Sequence, residues 1–262
     1  MITSILTGLL AVFFSAAMAN SVTKPAAFTK EQTKELEEVI HNYLLNNPGV
    51  LFEMEAKLRE KEIAARKERL KKVEEALTKY KDNLFGEKES VNRLVTGNPK
   101  GNVVLVEFTQ HQCPACKQSA VVVEEVVKEN SSIRNVTIFW PFLGKDAAFS
   151  AKAVLAAKEQ HRGGELNELL FKAKGPIDRD KVTEIAKSIS GLDLDKLLKE
   201  LESLAIEKEL AANFKLAGDL GLSGTPTLIV ANKELTKFSL VSDQAGDLKA
   251  GLLAAIAKVT EK

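Results

Sequence analysis

The chain has 262 residues, 45% hydrophobic and 28% charged, enough for one large domain and an accessory segment. Lys and Arg number 37 against 36 Asp and Glu, so no broad field favours nucleic acid or an anionic membrane as partner. Specificity has to come from local sites.

The first nineteen residues hold no charged side chain, are apolar from Leu9 to Phe14 and end in Ala17-Met18-Ala19. Residues 1–19 therefore read as a secretory signal cut before Asn20, although the usual basic residue near the start is missing. The competing reading, an uncleaved anchor, falls short of the roughly 20 apolar residues that span a bilayer. No later segment is apolar for long enough to span, so the mature chain is expected to be exported and soluble.

Thr29 to Gln32 fits a capping box, and Leu36, Val39, Ile40, Tyr43 and Leu44 recur at helical spacing up to the turn Asn46-Asn47-Pro48-Gly49. A second helix is expected from Val50 to about Tyr80, rich in Glu, Lys, Arg, Ala and Leu. It carries two apolar stripes, Leu51, Met54 and Leu58, then Ile63, Leu70, Val73 and Leu77. It either lies solvated on its own domain or buries its stripe against a second copy. The second reading is preferred, making residues 20–96 a homodimerisation segment.

Turn chemistry from Gly97 to Asn102 marks the start of a second domain, residues 97–262. Val103 to Phe108 is the apolar run of a strand covered on both faces, and Glu107 is its one charge. Cys113-Pro114-Ala115-Cys116 then opens a helix, and a strand from Val136 to Trp140 completes a right-handed parallel crossover. Phe139, Trp140 and Phe142 are assigned to core packing. Residues 146–218 read as an inserted helical subdomain broken at Gly163-Gly164, Gly175-Pro176 and Ser190-Gly191. Thr227 to Val230 returns as strand, a hairpin leads to Leu235–Leu240, and a helix from Gln244 to Val259 closes an α/β fold.

The chain's two cysteines are three positions apart. As a staple they would remove only roughly 2 kcal/mol of unfolded-state entropy. A zinc site would have to recruit His41, His111 and His161 from three separate segments, so no metal is expected. Redox chemistry suits the spacing better: Cys113 is exposed at the positive end of a helix and attacks, while Cys116, one turn deeper, resolves, without any cofactor. Glu107 either reaches solvent at the strand end or lies beneath the helix and accepts the proton Cys116 must lose. His111 either is an exposed loop residue or stabilises a thiolate as an imidazolium. Pro226, in Gly224-Thr225-Pro226-Thr227, belongs at a sheet edge or in a cis turn.

Val106-Glu107-Phe108 through Cys113-Pro114-Ala115-Cys116, with Gly224-Thr225-Pro226-Thr227 and the helical insert between, resembles the DsbA-like branch of the thioredoxin superfamily. The resemblance implies a thioredoxin-like fold with an inserted helical subdomain and an N-terminal helical extension. It further implies Cys113 as nucleophile, Cys116 as resolving thiol, Glu107 as buried proton acceptor and Pro226 as a cis-proline beside the sulfurs. Thr225, Pro226, Pro114, Ala115 and His111 would form the substrate surface. Phe28 to Leu58, with His41-Asn42-Tyr43-Leu44-Leu45-Asn46-Asn47-Pro48, resembles the extension of a dimeric bacterial subgroup, some first described as outer-membrane-associated antigens. Strongly oxidising members carry His where this chain has Ala115, and Thr225 resembles the dimeric isomerases. The resemblance thus implies isomerase or reductase activity on cysteine-containing exported proteins, with a membrane partner that recycles the disulfide. The expected location is the periplasm, with outer-membrane attachment left open. The alternatives are a non-enzymatic envelope protein that binds partners through its N-terminal helices, and a monomeric oxidase.

Overall fold

The computed structural model describes residues 28–86, 93–241 and 246–261. The expected signal sequence and the Gln244 start of the last helix lie outside the described residues. The chain divides into two compact units between Lys61 and Glu62.

In the first unit, helix α1 (Lys30–Asn46) starts on the expected capping box. The Gln32 amide donates to Thr29 Oγ1 at 3.2 Å and the Thr29 amide to Gln32 Oε1 at 3.0 Å. Leu36, Val39, Ile40, Tyr43 and Leu44 are all exposed, as are Leu51, Met54 and Leu58 near the start of α2 (Gly49–Phe85). Local propensity contributes little to helices of this kind, which are normally stabilised by packing of their apolar face. That face is uncovered here.

From Glu62 onward α2 belongs to the second unit, and its Val73, Leu77, Leu84 and Phe85 are buried in that unit's core. The domain division expected between residues 96 and 97 therefore falls earlier, at 61/62. The reason is that one helix carries apolar positions with two fates, exposed near its start and core-forming near its end. A strand the sequence did not announce, β1 (Leu94–Gly97), also crosses the end of the supposed dimerisation segment and joins the sheet. Gly97 ends it at φ +72, where a Cβ would meet the Ile133 carbonyl oxygen at 2.6 Å.

Two buried arginines hold the end of α2. Arg93 Nη1 donates to the Asn83 carbonyl at 2.6 Å, Arg93 Nε to Glu209 Oε1 at 3.1 Å, and Arg134 Nη1 to the Phe85 carbonyl at 2.9 Å. They meet carbonyls that a helix terminus leaves without partners, at the negative end of its dipole.

The remaining strands are β2 (Val103–Thr109), β3 (Ile133–Phe139), β4 (Thr227–Asn232) and β5 (Phe238–Leu240), in the order β1-β3-β2-β4-β5. Only β2 and β3 are parallel, joined across α3 (Pro114–Glu129) as expected. Alternation along β2 sorts its side chains. Val104, Val106 and Phe108 pack with α2 and α8 (Leu204–Asp219), while Val103 and Leu105 pack with α3 and α9 (Leu248–Thr260). Glu107 shares the second face.

The insert comprises α4 (Lys145–Lys158), α5 (Gly163–Lys172), α6 (Arg179–Ser188), α7 (Leu194–Glu200) and α8. Alanines along α4 let neighbouring helices approach closely; at Gly163 a Cβ would stand 2.9 Å from the Lys158 Cα. Phe139 is buried as expected and Trp140 is half-buried, but Phe142 is 44% exposed, against its assignment to the core. Its chain has turned outward after Pro141.

Arg93→Ala strands the buried Glu209 carboxylate and takes the guanidinium from the carbonyls at the end of α2, so it should cost about 3–5 kcal/mol in urea unfolding. Breaking the exposed Lys72–Glu68 pair should change stability hardly at all.

Candidate active site at the paired cysteines

β2 ends at Thr109, three residues turn, and α3 begins at Pro114 with Cys113 as its N-cap. Pro suits this first helical position, where its missing N–H removes no helical bond. The Cys116 amide donates to Cys113 Sγ at 3.2 Å, so the first sulfur occupies the place of a capping oxygen at the positive end of the helix. Cys113 is 7% exposed and Cys116 is fully buried, both as free thiols. Burial first, and then the neighbouring Cys113 sulfur, push the Cys116 pKa up to about 12, against the lowering pull of Thr225, Gln110 and Thr109. Cys116 is therefore a thiol at neutral pH.

The second motif arrives through the sheet. Phe108 pairs with Thr227 in the antiparallel β2–β4 ladder, so the residues before Thr227 lie beside those after Phe108. The Thr225–Pro226 peptide is cis, and Cys113 Sγ lies 3.4 Å from the Thr225 carbonyl oxygen. Pro226 and Ala115 line a groove of about 630 Å³ with Gln118, Val122 and Leu248. Pro114 lines a neighbouring one with Lys117 and Ile177. Cys113, Cys116, Pro114, Ala115, Thr225 and Pro226 thus come together.

Glu107 lies on the α3 face of β2 and is buried. Its Oε1 accepts from Asn135 Nδ2 and Thr137 Oγ1, both at 3.0 Å, and desolvation raises its pKa despite these two bonds. It lines a cavity of about 350 Å³ between α3 and α5, together with Ala120 and Phe171, which also pack around the cysteines. No hydrogen bond joins Glu107 to Cys116 among the described residues. The strand-end reading, a carboxylate reaching solvent, does not hold.

His111 meets neither expectation. It is fully buried, with Nδ1 3.0 Å from Ser150 Oγ, Nε2 3.0 Å from Asn167 Oδ1, and its ring 4.5 Å from that of Phe171. Burial, aided by the Lys117 charge and opposed by the Asn167 bond, lowers its pKa to about 4. The imidazole is neutral at pH 7 and held by α4 and α5, although it lines the groove beside Pro114. The sequence also concealed Gln110, whose Nε2 donates to Thr225 Oγ1 at 3.1 Å. A polar residue after a strand carries no signal of such a partner 115 positions away.

Comparison with known proteins agrees with this geometry. Residues 89–244 match the family profile described as Thioredoxin, and residues 32–65 match the copper resistance protein ScsC N-terminal domain. A thioredoxin-like oxidoreductase structure from Silicibacter pomeroyi is 30% identical, covering 67% of this chain and 96% of its own, with a TM-score of 0.58. The thiol:disulfide interchange protein DsbA of Burkholderia cepacia is 25% identical over 143 residues, 53% of this chain and 67% of that protein. A sodium/proton antiporter of Salinispora tropica is 28% identical over 138 residues, 52% of this chain, and the match spans only 21% of the antiporter's length. The chain belongs to the thioredoxin family and resembles DsbA, with an N-terminal extension.

Two measurements probe the site. Alkylation of the reduced native protein at pH 7 should modify Cys113 and spare Cys116 until the chain unfolds. The second concerns His111. The unfolded chain protonates this imidazole near its ordinary 6.5 and the folded chain only near 4, so stability falls as pH drops between them, by roughly 3 kcal/mol in all. Glu107 acts oppositely, since its raised pKa makes stability fall as pH rises above 4.5. Urea unfolding of wild type against His111→Gln from pH 7 to 4 isolates the imidazole, and the wild-type advantage should shrink by about that amount.

Proposed function

We propose that this protein is exported to the periplasm and isomerises, reduces or introduces disulfides in envelope proteins through a mixed disulfide at Cys113. The observation that carries this reading is the Cys113 sulfur at the N-cap of α3, 3.4 Å from the Thr225 carbonyl oxygen, above a buried Cys116. In the reducing direction, the Cys113 thiolate attacks a client disulfide, the client S–S bond breaks, and one client sulfur leaves as thiolate. Cys116 then gives up its proton and attacks Cys113 Sγ, which releases the second client sulfur and leaves a Cys113–Cys116 disulfide. In isomerisation the first client thiolate returns to the mixed disulfide instead. A thiol pushed up to about 12 needs help to lose its proton. Glu107, buried without a cationic partner among the described residues and with a raised pKa, is the acceptor, acting through the adjacent cavity.

Ala115 between the cysteines adds no charge to the first sulfur, which supports isomerase or reductase work over strong oxidation. A membrane redox partner resets the pair. Among the described residues no helix is long and apolar enough to cross a membrane. The uncovered apolar face of α1 and early α2 supports a homodimer built on this arm, the segment that matches the ScsC N-terminal domain.

Refolding of a scrambled multi-disulfide substrate should require Cys113: unchanged yield with Cys113→Ala would remove the catalytic reading and leave a binding protein. Cys116→Ala should accumulate the mixed disulfide. Glu107→Gln should slow client release at least about tenfold and flatten its pH profile. Sedimentation of residues 20–262 should give a dimer, and a monomer would return the oxidase alternative.

A further inference from the structure

Gln110 is the first residue after β2 and is buried, so both ends of its amide need partners. The Leu143 main-chain N–H, which can only donate, lies 3.1 Å from one end and makes that end the oxygen, Oε1. The other end is therefore Nε2, and it donates to Thr225 Oγ1 at 3.1 Å. Thr225 accepts from Gln110 and keeps its single O–H for a further partner. A main-chain donor 33 positions along the chain from Gln110 thus sets the direction of a hydroxyl at the reactive centre. The main chain of Gln110 is tied to the same centre, its carbonyl accepting from the Cys113 amide at 3.3 Å.

The partner for the Thr225 proton is Cys116 Sγ. Burial first, and then the Cys113 sulfur, keep the proton on Cys116; of the groups that pull the other way the Thr225 hydroxyl is foremost, ahead of the Gln110 main chain and the Thr109 hydroxyl. Cys113 Sγ meets a different atom of the same residue, the Thr225 carbonyl oxygen at 3.4 Å. Thr225 therefore offers its hydroxyl to one sulfur and its carbonyl to the other. Only the hydroxyl is oriented by Gln110.

Resting on the exchange reaction assigned above, we propose that Gln110 is a positioning residue for the resolving half of the reaction: by donating to Thr225 Oγ1 it turns the Thr225 O–H onto Cys116 Sγ. When Cys116 gives its proton to Glu107 and attacks Cys113 Sγ, the Thr225 proton stays on its own oxygen and is shared with the new thiolate. A bond to a buried charge is stronger than one between neutral groups, and a donor aimed in advance needs no reorganisation as the charge appears. Two further groups remain at the sulfur, so loss of this one slows resolution without abolishing it. The first attack, by Cys113, does not use the hydroxyl.

The test separates the two halves. Reduced protein is mixed with an excess of dithiodipyridine, which absorbs differently once cleaved. The Cys113 thiolate attacks the probe disulfide and releases one thiopyridone; Cys116 loses its proton, attacks Cys113 Sγ and releases the second, leaving the Cys113–Cys116 disulfide and a probe reduced by two electrons. Cys116→Ala should give the first release only. Gln110→Met, close in shape but without a donor, should slow the second release about tenfold and change the first by less than about twofold. In a Thr225→Val background the same substitution should alter the second release by less than about twofold, since the hydroxyl it acts through is gone. Gln110→Glu keeps an oxygen for the Leu143 amide and donates to Thr225 only when protonated. It should restore the second release at pH 5 and fall to the Gln110→Met rate by pH 8. Cys113, Cys116, Glu107 and His111 titrate in every variant, so each rate is compared with wild type at the same pH.

An unchanged second release in Gln110→Met would overturn the proposal. So would equal slowing of both releases, which would make Gln110 a support of the whole loop, or a full effect in the Thr225→Val background, which would route it through Leu143. Restoration by Gln110→Glu at both pH values would likewise reduce its role to filling space and receiving the Leu143 amide. Absence of the second release in wild type is a separate failure, that of the exchange reading itself.

Discussion

The antiparallel pairing of β2 with β4 is the constraint on which the site depends. Phe108 opposite Thr227 sets the cis Thr225–Pro226 turn, just before one strand, beside the Cys113 N-cap, just after the other. A slip of one residue in this ladder would turn every side chain of β2 to the opposite layer, taking Glu107 from the α3 face and moving Thr225 off the sulfur. The register is secured because β2 is buried along its whole length between two helical layers, so a slipped strand would bring its one carboxyl among apolar side chains.

Around that constraint the protein treats its two sulfurs differently. Cys113 caps the helix terminus and accepts from the amide of Cys116, whereas Cys116 is enclosed by Phe171 and Ala120 and remains protonated. His111 adds no charge, because α4 and α5 enclose it and supply neutral partners. The contacts of the first sulfur are thus with backbone, the Cys116 amide and the Thr225 carbonyl oxygen. Ala115 between the cysteines is uncharged as well.

The helical insert therefore does more than fill space between the halves of the sheet. Ser150, Asn167 and the Ile177 carbonyl hold the turn from Gln110 to Gln112, and the Ala173 carbonyl receives Lys117 Nζ from the active-site helix. The reactive loop is clamped from outside its own strand and helix. The terminus of α2 is fastened instead by buried charge, Arg93 and Arg134 donating to its last carbonyls.

Much of this was determined by sequence alone, wherever the physics is local. Thr29 and Gln32 cap a helix through atoms three residues apart, Val103 to Phe108 announces a strand covered on both faces, and Cys113-Pro114-Ala115-Cys116 places two sulfurs on successive turns. For Pro226 the residues left a sheet edge or a cis turn open, and the resemblance favoured the cis turn that the structure has. Tertiary structure decided what depends on partners distant in the chain. Identical apolar spacing along α2 conceals a change from exposed to buried, and Phe142 turns outward although its neighbour Phe139 is buried. His111 is neutral because residues 39 and 56 positions away close on it, and Gln110 becomes a bridge because Thr225 lies 115 positions away. The cysteine pair could be read as reactive from its spacing. Which groups surround it, and in which charge state, is set by burial and hydrogen bonds that exist only once the chain has folded.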